Sequence, residues 1–320
     1  MASESLTTKM SSGMSRREHA SPAASAQRRR RPRRSRRWRG WLYILPAFAV
    51  YLVFVVLPGL QALYLSFYNW DGVGPATAAG LSNYTQVLSN PQLRNSLVHA
   101  AELVVFFAGL PIVLGLLMAA ILARHQRRGT ALFRTLFFLP YVVPLVAIGI
   151  TWRWMYDENG VVNSWLQAIG LGSVTRAWLG DFTFALPAVG LVGTWALSGL
   201  CMVLFLAGAQ KIDPNLYEAA RLDGANPLQE FFAVTLPGLR GEIRVAMTVT
   251  VIAALASFDI VYVTTLGGPG NTTAVPSLLI YQLAFSLGEI GQAAALGVVL
   301  TIVIGIAVLL ISRLIKTEEP

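Results

Sequence analysis

Six stretches of this chain are apolar for longer than a soluble core tolerates, at residues 41–66, 97–123, 136–156, 182–209, 243–266 and 291–315. A helix rises about 1.5 Å per residue, so roughly 20 apolar residues cross a hydrocarbon layer about 30 Å thick. Lipid offers no partner to backbone N–H and C=O groups, so a spanning segment is a helix or part of a closed barrel. The alternating pattern of a membrane barrel is absent. The predicted class is all-α: a polytopic membrane protein with six transmembrane helices. Prolines interrupt two of the stretches, Pro111 in the second and Pro140 and Pro144 in the third, and kinks are expected there.

Charge is scarce and uneven. Only 13% of the residues are charged, about half the share of a soluble domain. The net charge of +9 belongs to the first 40 residues, which hold 12 Lys or Arg against Glu4 and Glu18. Nine of the twelve residues from Arg28 to Arg39 are Arg. Residues 1–37 lack apolar periodicity and are expected to be a disordered cytoplasmic tail. The apolar run behind them is too long for a signal-peptide core and has no small-residue cleavage site. The arginines are expected to hold the first helix end at the anionic leaflet rather than to bind nucleic acid.

Counting Lys and Arg orients the chain. With the N-terminus inside, 22 of the 25 fall on cytoplasmic segments, which leaves Arg94, Arg153 and Arg176 outside. Both termini are therefore expected in the cytoplasm of a multi-pass plasma-membrane protein. The expected division is a tail at 1–37, a first helix and outer loop at 38–94, a main membrane domain at 95–316 that holds the loop at 210–242, and a cytoplasmic end at 317–320. Residues 210–242 form the longest polar insertion between spans and lie in the cytoplasm.

That loop reads as two short helices. Asp213 is a good N-cap, and Pro214 suits the first helical position, where a missing N–H costs nothing. The helix runs through Glu218, Ala219, Ala220, Arg221 and Asp223, and Gly224 is its natural left-handed stop. Asn226 and Pro227 repeat the start, with Gln229 where a capping box wants Glu or Gln. The second helix is expected to end before Pro237-Gly238. Leu216, Ala219, Ala220 and Asp223 share a face, and the two alanines keep it thin. Glu218 and Arg221, three apart, can pair with each other or reach a partner. On residues alone the loop is a docking knob or an amphipathic helix lying on the headgroups.

The spacing Glu218-Ala219-Ala220, three residues, Gly224, nine residues, Val234-Thr235-Leu236-Pro237 resembles the EAA loop of permease subunits from binding-protein-dependent ABC importers. Val234 stands where that family has Ile or a similar residue. Phe258-Asp259-Ile260-Val261-Tyr262 followed by Gly267-Gly268-Pro269-Gly270 is similar to the sugar-uptake branch, related to the maltose and glycerol-phosphate permeases. The likeness covers about residues 40–316. It implies the type I importer fold, with the helix around Glu218–Gly224 and on to Leu236 and Pro237 coupling the membrane helices to a separate ATPase. It implies as partners a second permease chain, two ATP-binding subunits and an extracytoplasmic solute-binding protein, and as cargo a sugar or related solute.

Other residue patterns limit the alternatives. There is no G-x-x-x-x-G-K-[ST] phosphate loop, so ATP hydrolysis is expected on another chain and this one is not expected to be an enzyme. Three scattered histidines and one cysteine have no metal-ligand spacing, so neither cofactor nor metal is expected. Glu102, Arg153 and Asp259 lie near the outer ends of spans, either at the wet interface or in a polar lining. Trp195, Ser198, Ser257, Asp259 and Tyr262 are the candidates for a substrate route, because sugars are held by aromatic faces and hydroxyl-matching groups. Trp152, Trp154 and Tyr156 are expected in an interfacial aromatic belt. An importer of a non-sugar or phosphorylated solute, and a stand-alone secondary transporter, are the competing classes. The second usually carries inverted repeats and midplane charges, and neither is visible here.

Overall fold

The computed structural model describes residues 36–124 and 129–315. The chain divides into two compact units, residues 1–52 and 53–320. The described part of the first is led by helix α1 (Arg36–Tyr51), which carries Pro46 inside it. The expected tail lies outside the described residues except for Arg36 and Arg37, which open α1. Residues 317–320 also lie outside them.

In the second unit, α2 (Leu57–Leu65) leads into an antiparallel hairpin of β1 (Tyr68–Asn69) and β2 (Thr77–Ala78), with Tyr68 opposite Ala78. Helices α3 (Ser82–Ser89) and α4 (Pro91–Val104) follow, and a π turn at Val105–Gly109 carries α4 into α5 (Leu110–Arg124). Then come α6 (Thr130–Val142), α7 (Leu145–Met155), α8 (Val161–Ala168) and α9 (Ala185–Ala209). A loop containing α10 (Pro214–Leu222), α11 (Pro227–Glu230) and α12 (Leu236–Gly238) reaches α13 (Arg240–Leu255). The chain closes with α14 (Asp259–Thr264), α15 (Pro276–Tyr281) and α16 (Ile290–Leu314).

Four helical stretches among the described residues are long and apolar enough to cross a membrane: Tyr43–Leu65, Pro91–Leu122, Ala185–Ala209 and Ile290–Leu314. A fifth comes from α6 and α7 together, bent by 98°. The break falls at Val143, which takes an extended backbone (φ −75°, ψ 135°). The following Pro144 disfavours a helical conformation there, whereas Pro140 stays inside α6.

The segment expected at 243–266 is not one helix. α13 stops at Leu255 after 16 residues. Its last bonds tighten from Ala256 N–H to the Ile252 carbonyl to Ser257 N–H to the Ala254 carbonyl. That i→i+3 closure ends the ladder, and α14 restarts at Asp259.

Pro111 does not break its span, which runs for 32 residues. The π turn explains why. Leu110 N–H bonds the Val105 carbonyl, so the Phe106 carbonyl loses its α-helical partner. The next residue that could serve it in a π turn is Pro111, which has no N–H. Thr194 Oγ1 on α9 donates to that carbonyl at 2.6 Å. The orphan acceptor left by the proline thus becomes a bond between two helices, as an apolar medium requires.

α9 is the packing centre, and glycines put it there. A Cβ on Gly190 would meet Phe106 at 2.5 Å, one on Gly193 Phe107 at 2.1 Å, and one on Gly199 the Phe137 carbonyl oxygen at 2.0 Å. Small residues allow this close approach where burial gives no advantage over lipid. One core cluster gathers Leu103, Phe107, Tyr156, Val189 and Val261; a second gathers Met202, Phe205, Leu239 and Ile311, with Ile212 and Ile315 against it; a third gathers Val87, Ala274 and Leu296. The second cluster joins the α9–α13 loop to the end of α16, and the third sits at the start of α16, so the two ends of this unit are distinct.

Candidate functional site

The loop between α9 and α13 is fixed at every helix end. Asp213 Oδ1 accepts the Asn215 N–H at 2.9 Å and Pro214 opens α10. At the other end Gly224 has φ +81°, the Gly224 N–H bonds the Arg221 carbonyl and the Ala225 N–H bonds the Ala220 carbonyl, both at 3.0 Å. These are the two bonds of a Schellman stop. A Cβ on Gly224 would touch nothing within 4 Å. Backbone conformation alone, not space, therefore requires glycine there. Asn226 Oδ1 accepts from the Leu228 and Gln229 N–H groups, and Gln229 Oε1 accepts the Asn226 N–H at 2.8 Å, a complete capping box.

Two side-chain bonds tie the loop's halves together. Arg221 Nε donates to Glu230 Oε1 at 2.8 Å across the Gly224 turn, and Tyr217 Oη lies 3.1 Å from Thr235 Oγ1. The Glu230 side chain is only 6% exposed, against 61% for Arg221. The Glu230 hydrogen bond and its charge push the Arg221 pKa up, with a smaller contribution from Glu218. Spacing left Arg221 free to pair with Glu218 or to reach another partner; the short bond runs to Glu230. Thr235 and Glu230 carried no local signal, because their partners lie 18 and nine residues away.

The second helix does not end before Pro237. A π turn at Phe231–Thr235, closed by the Leu236 N–H to the Phe231 carbonyl, passes into α12 through Pro237 to Gly238. The wide turn accommodates the proline, as at Pro111. At the base, Lys211 Nζ meets Glu242 Oε1 at 3.0 Å, and Ile212 packs so close to Gly238 that a Cβ there would come within 2.6 Å. The outer face stays uncovered: Leu216, Ala219 and Asp223 are exposed, Ala220 is half-buried, and Leu222 and Leu228 are also exposed. Leu236 and Pro237 are half-buried.

The candidate route residues divide. Trp195 is 46% exposed and stands edge-on to Trp152 at 5.7 Å. Tyr262 stacks on Phe258 at 5.1 Å and meets Tyr281 at 5.5 Å. Asp259 is exposed. Ser198 and Ser257 are buried, and Ser198 Oγ is spent on the Thr194 carbonyl of its own helix. Tyr156 is not an interfacial residue: it is buried, and its hydroxyl donates to the Ala188 carbonyl at 3.2 Å. Trp152 half-covers the same core and Trp154 is exposed. The three fall on a helix end with different faces, which sequence adjacency hides.

An all-α fold whose apolar helices flank a polar loop with capped helices is the architecture of a polytopic membrane protein. The chain belongs to the family of binding-protein-dependent transport system inner membrane components, whose model matches residues 112–317. It is thus an integral membrane permease of an ABC importer.

Among its relatives, the probable ABC transporter permease protein YurN of Bacillus subtilis is 36% identical over 252 residues, covering 78% of this chain and 86% of that one. The diacetylchitobiose uptake system permease protein NgcF of Streptomyces coelicolor is 35% identical over 81% of this chain and 78% of its own. The lactose transport system permease protein LacF of Rhizobium radiobacter is 34% identical over 79% of this chain and 85% of its own. The fold matches a bacterial alginate ABC transporter solved with an alginate-pentasaccharide-bound periplasmic protein, with TM-score 0.74 and 23% identity over 89% of this chain and 98% of that one. This is the type I importer fold.

Proposed function

We propose that this permease carries a sugar or oligosaccharide across the plasma membrane, driven by a separate ATPase docked on the loop from Glu218 to Pro237. The observation that supports the cargo most is the pair of sugar permeases among relatives at 34–35% identity. The loop supplies the physical means. A helix capped at both ends and braced to its neighbour transmits a push that a flexible segment would absorb. Leu216, Leu222 and Leu228 give a partner apolar surface to cover, while Ala219 and Ala220 let it approach closely. Glu218, Arg221 and Asp223 frame that surface with charge.

On this reading a second permease chain, two ATP-binding subunits and a solute-binding protein complete the assembly, and both termini lie in the cytoplasm. The direct test is to assemble the complex and measure uptake of lactose and diacetylchitobiose. Saturable, ATP-dependent uptake of a neutral sugar is the expected result. A complex that hydrolyses ATP in response to a non-sugar solute and takes up no sugar would overturn the cargo assignment. Retention of the ATPase by a variant lacking residues 214–236 would overturn the docking assignment.

A further inference from the structure

A polar cleft of about 560 Å³ opens at the end of the second unit remote from the loop at 213–238. Its walls are the β1–β2 hairpin, α3 and the start of α16. The walls are held by specific bonds. Asn83 Nδ2 donates to the Ser66 and Tyr68 carbonyls, both at 3.0 Å, and the Ile290 N–H bonds the Trp70 carbonyl at 3.0 Å. Gly291 lets α16 press on the hairpin, since a Cβ there would stand 1.9 Å from the Tyr68 carbonyl oxygen. Trp70 Nε1 donates to the Gly74 carbonyl at 2.8 Å, which fixes the indole as part of the wall.

The lining carries negative charge and no positive charge. Asp71 and Glu289 supply carboxylates, Asn69, Asn83, Gln86 and Gln292 supply amides, Trp70 supplies an aromatic ring, and no Lys, Arg or His is present. Asp71 Oδ1 is occupied by the Val73 and Gly74 N–H groups at 3.0 and 2.9 Å. Those bonds hold its pKa below the ordinary carboxylate value. Oδ2 makes no hydrogen bond among the described residues, and the Glu289 carboxylate makes none either. Gln292 Nε2 donates to Gln86 Oε1 at 2.7 Å, which leaves the Gln86 amide hydrogens and the Gln292 carbonyl oxygen for a ligand. Planar acceptors and amides beside an aromatic ring match a molecule with many hydroxyl donors and apolar C–H faces. An anion would enter against two fixed negative charges with no cation to offset them.

We propose that this cleft is an entry subsite for a neutral, polyhydroxylated solute, and that it discriminates against acidic sugars. The inference rests on the sugar reading above and narrows it. It separates this chain from its fold neighbour, whose transporter imports the acidic polysaccharide alginate.

The test uses the full chain in lipid nanodiscs, titrated with lactose and with its acid counterpart lactobionate, and read by saturation-transfer NMR. Lactose should bind at least about tenfold more tightly than lactobionate. Trp70→Ala should weaken lactose binding by about fivefold or more. The pair Asp71→Asn with Glu289→Gln keeps the turn acceptor at position 71 and should close most of the gap between the two sugars. Trp165→Ala, an exposed tryptophan outside the cleft, should change nothing. Equal binding of both sugars, or cleft variants indistinguishable from the parent chain, would overturn the subsite. Uptake by the assembled transporter separates the two failures: no uptake of any sugar removes the cargo reading, whereas neutral-sugar uptake with an unaltered KM in the cleft variants removes only the subsite.

Discussion

Two helical stretches with nearly the same mean hydropathy occupy opposite environments. Tyr43–Leu65 averages 2.2 and none of its apolar window is buried, whereas Ala185–Ala209 averages 2.1 and 72% of it is buried. Hydropathy therefore decides that a segment crosses the membrane and says nothing about which neighbours it meets. The difference lies in side-chain size. Ala185–Ala209 carries Gly190, Gly193, Gly199 and Gly208, each with a neighbouring atom where a Cβ would stand. Tyr43–Leu65 carries Gly59, which has nothing within 4 Å, and Tyr and Phe residues along its exposed faces. In a membrane, close backbone approach makes the interface, so the small residues mark the interior.

Substitution of the glycines breaks or confirms this contrast most sharply. Gly199→Val should cost about 3 kcal/mol or more, because the added carbons meet the Phe137 backbone rather than a movable side chain. Gly59→Val should change stability by less than about 1 kcal/mol. Thermal unfolding in detergent measures both, and equal melting temperatures would remove size as the deciding property.

A second contrast lies between the membrane helices and the loop at 213–238, where capping replaces packing. Gly224→Asp should cost about 1 kcal/mol through the left-handed backbone alone, while Gly224→Asn should recover part of it because Asn tolerates that conformation. If docking depends on this turn, ATPase co-purification should fall in the same order. Loss in both variants alike would point to a steric cause, against the open space around that residue.

Arg221→Ala removes the bond to Glu230. The loss should be seen as severalfold faster hydrogen exchange in α10 with the membrane helices unaffected. The smallest structural effect is expected from Glu218→Lys, an exposed position. Stability should change by less than about 0.5 kcal/mol, and ATPase retention should weaken. A variant that retained the ATPase fully would take Glu218 out of the docking surface.

How far sequence reading reaches depends on the distance between partners. The caps of α10 and α11 were legible because Asp213, Gly224, Asn226 and Gln229 bond to groups two or three residues away. The brace from Arg221 to Glu230 was not, since it closes only when Gly224 folds one helix back toward the other. Pro111 and Pro237 signalled irregular helices correctly, and only the stop expected before Pro237 is absent. A kink was expected at Pro111 and a stop before Pro237, and at both a π turn carries the helix past the proline. At Phe106 the released carbonyl then finds Thr194, 88 residues away.

By itself the sequence determined that this is an all-α membrane chain and that its polar loop carries two capped helices. Each rests on composition or on bonds within a few residues, which travel with the chain wherever it packs. Only the tertiary structure decided that α9 is the centre, that Tyr156 turns inward, and that a cleft lined without cations opens between the first hairpin and the last helix. Those outcomes depend on side chains tens to hundreds of residues apart, whose meeting is set by shape and by unpaired backbone groups rather than by local pattern.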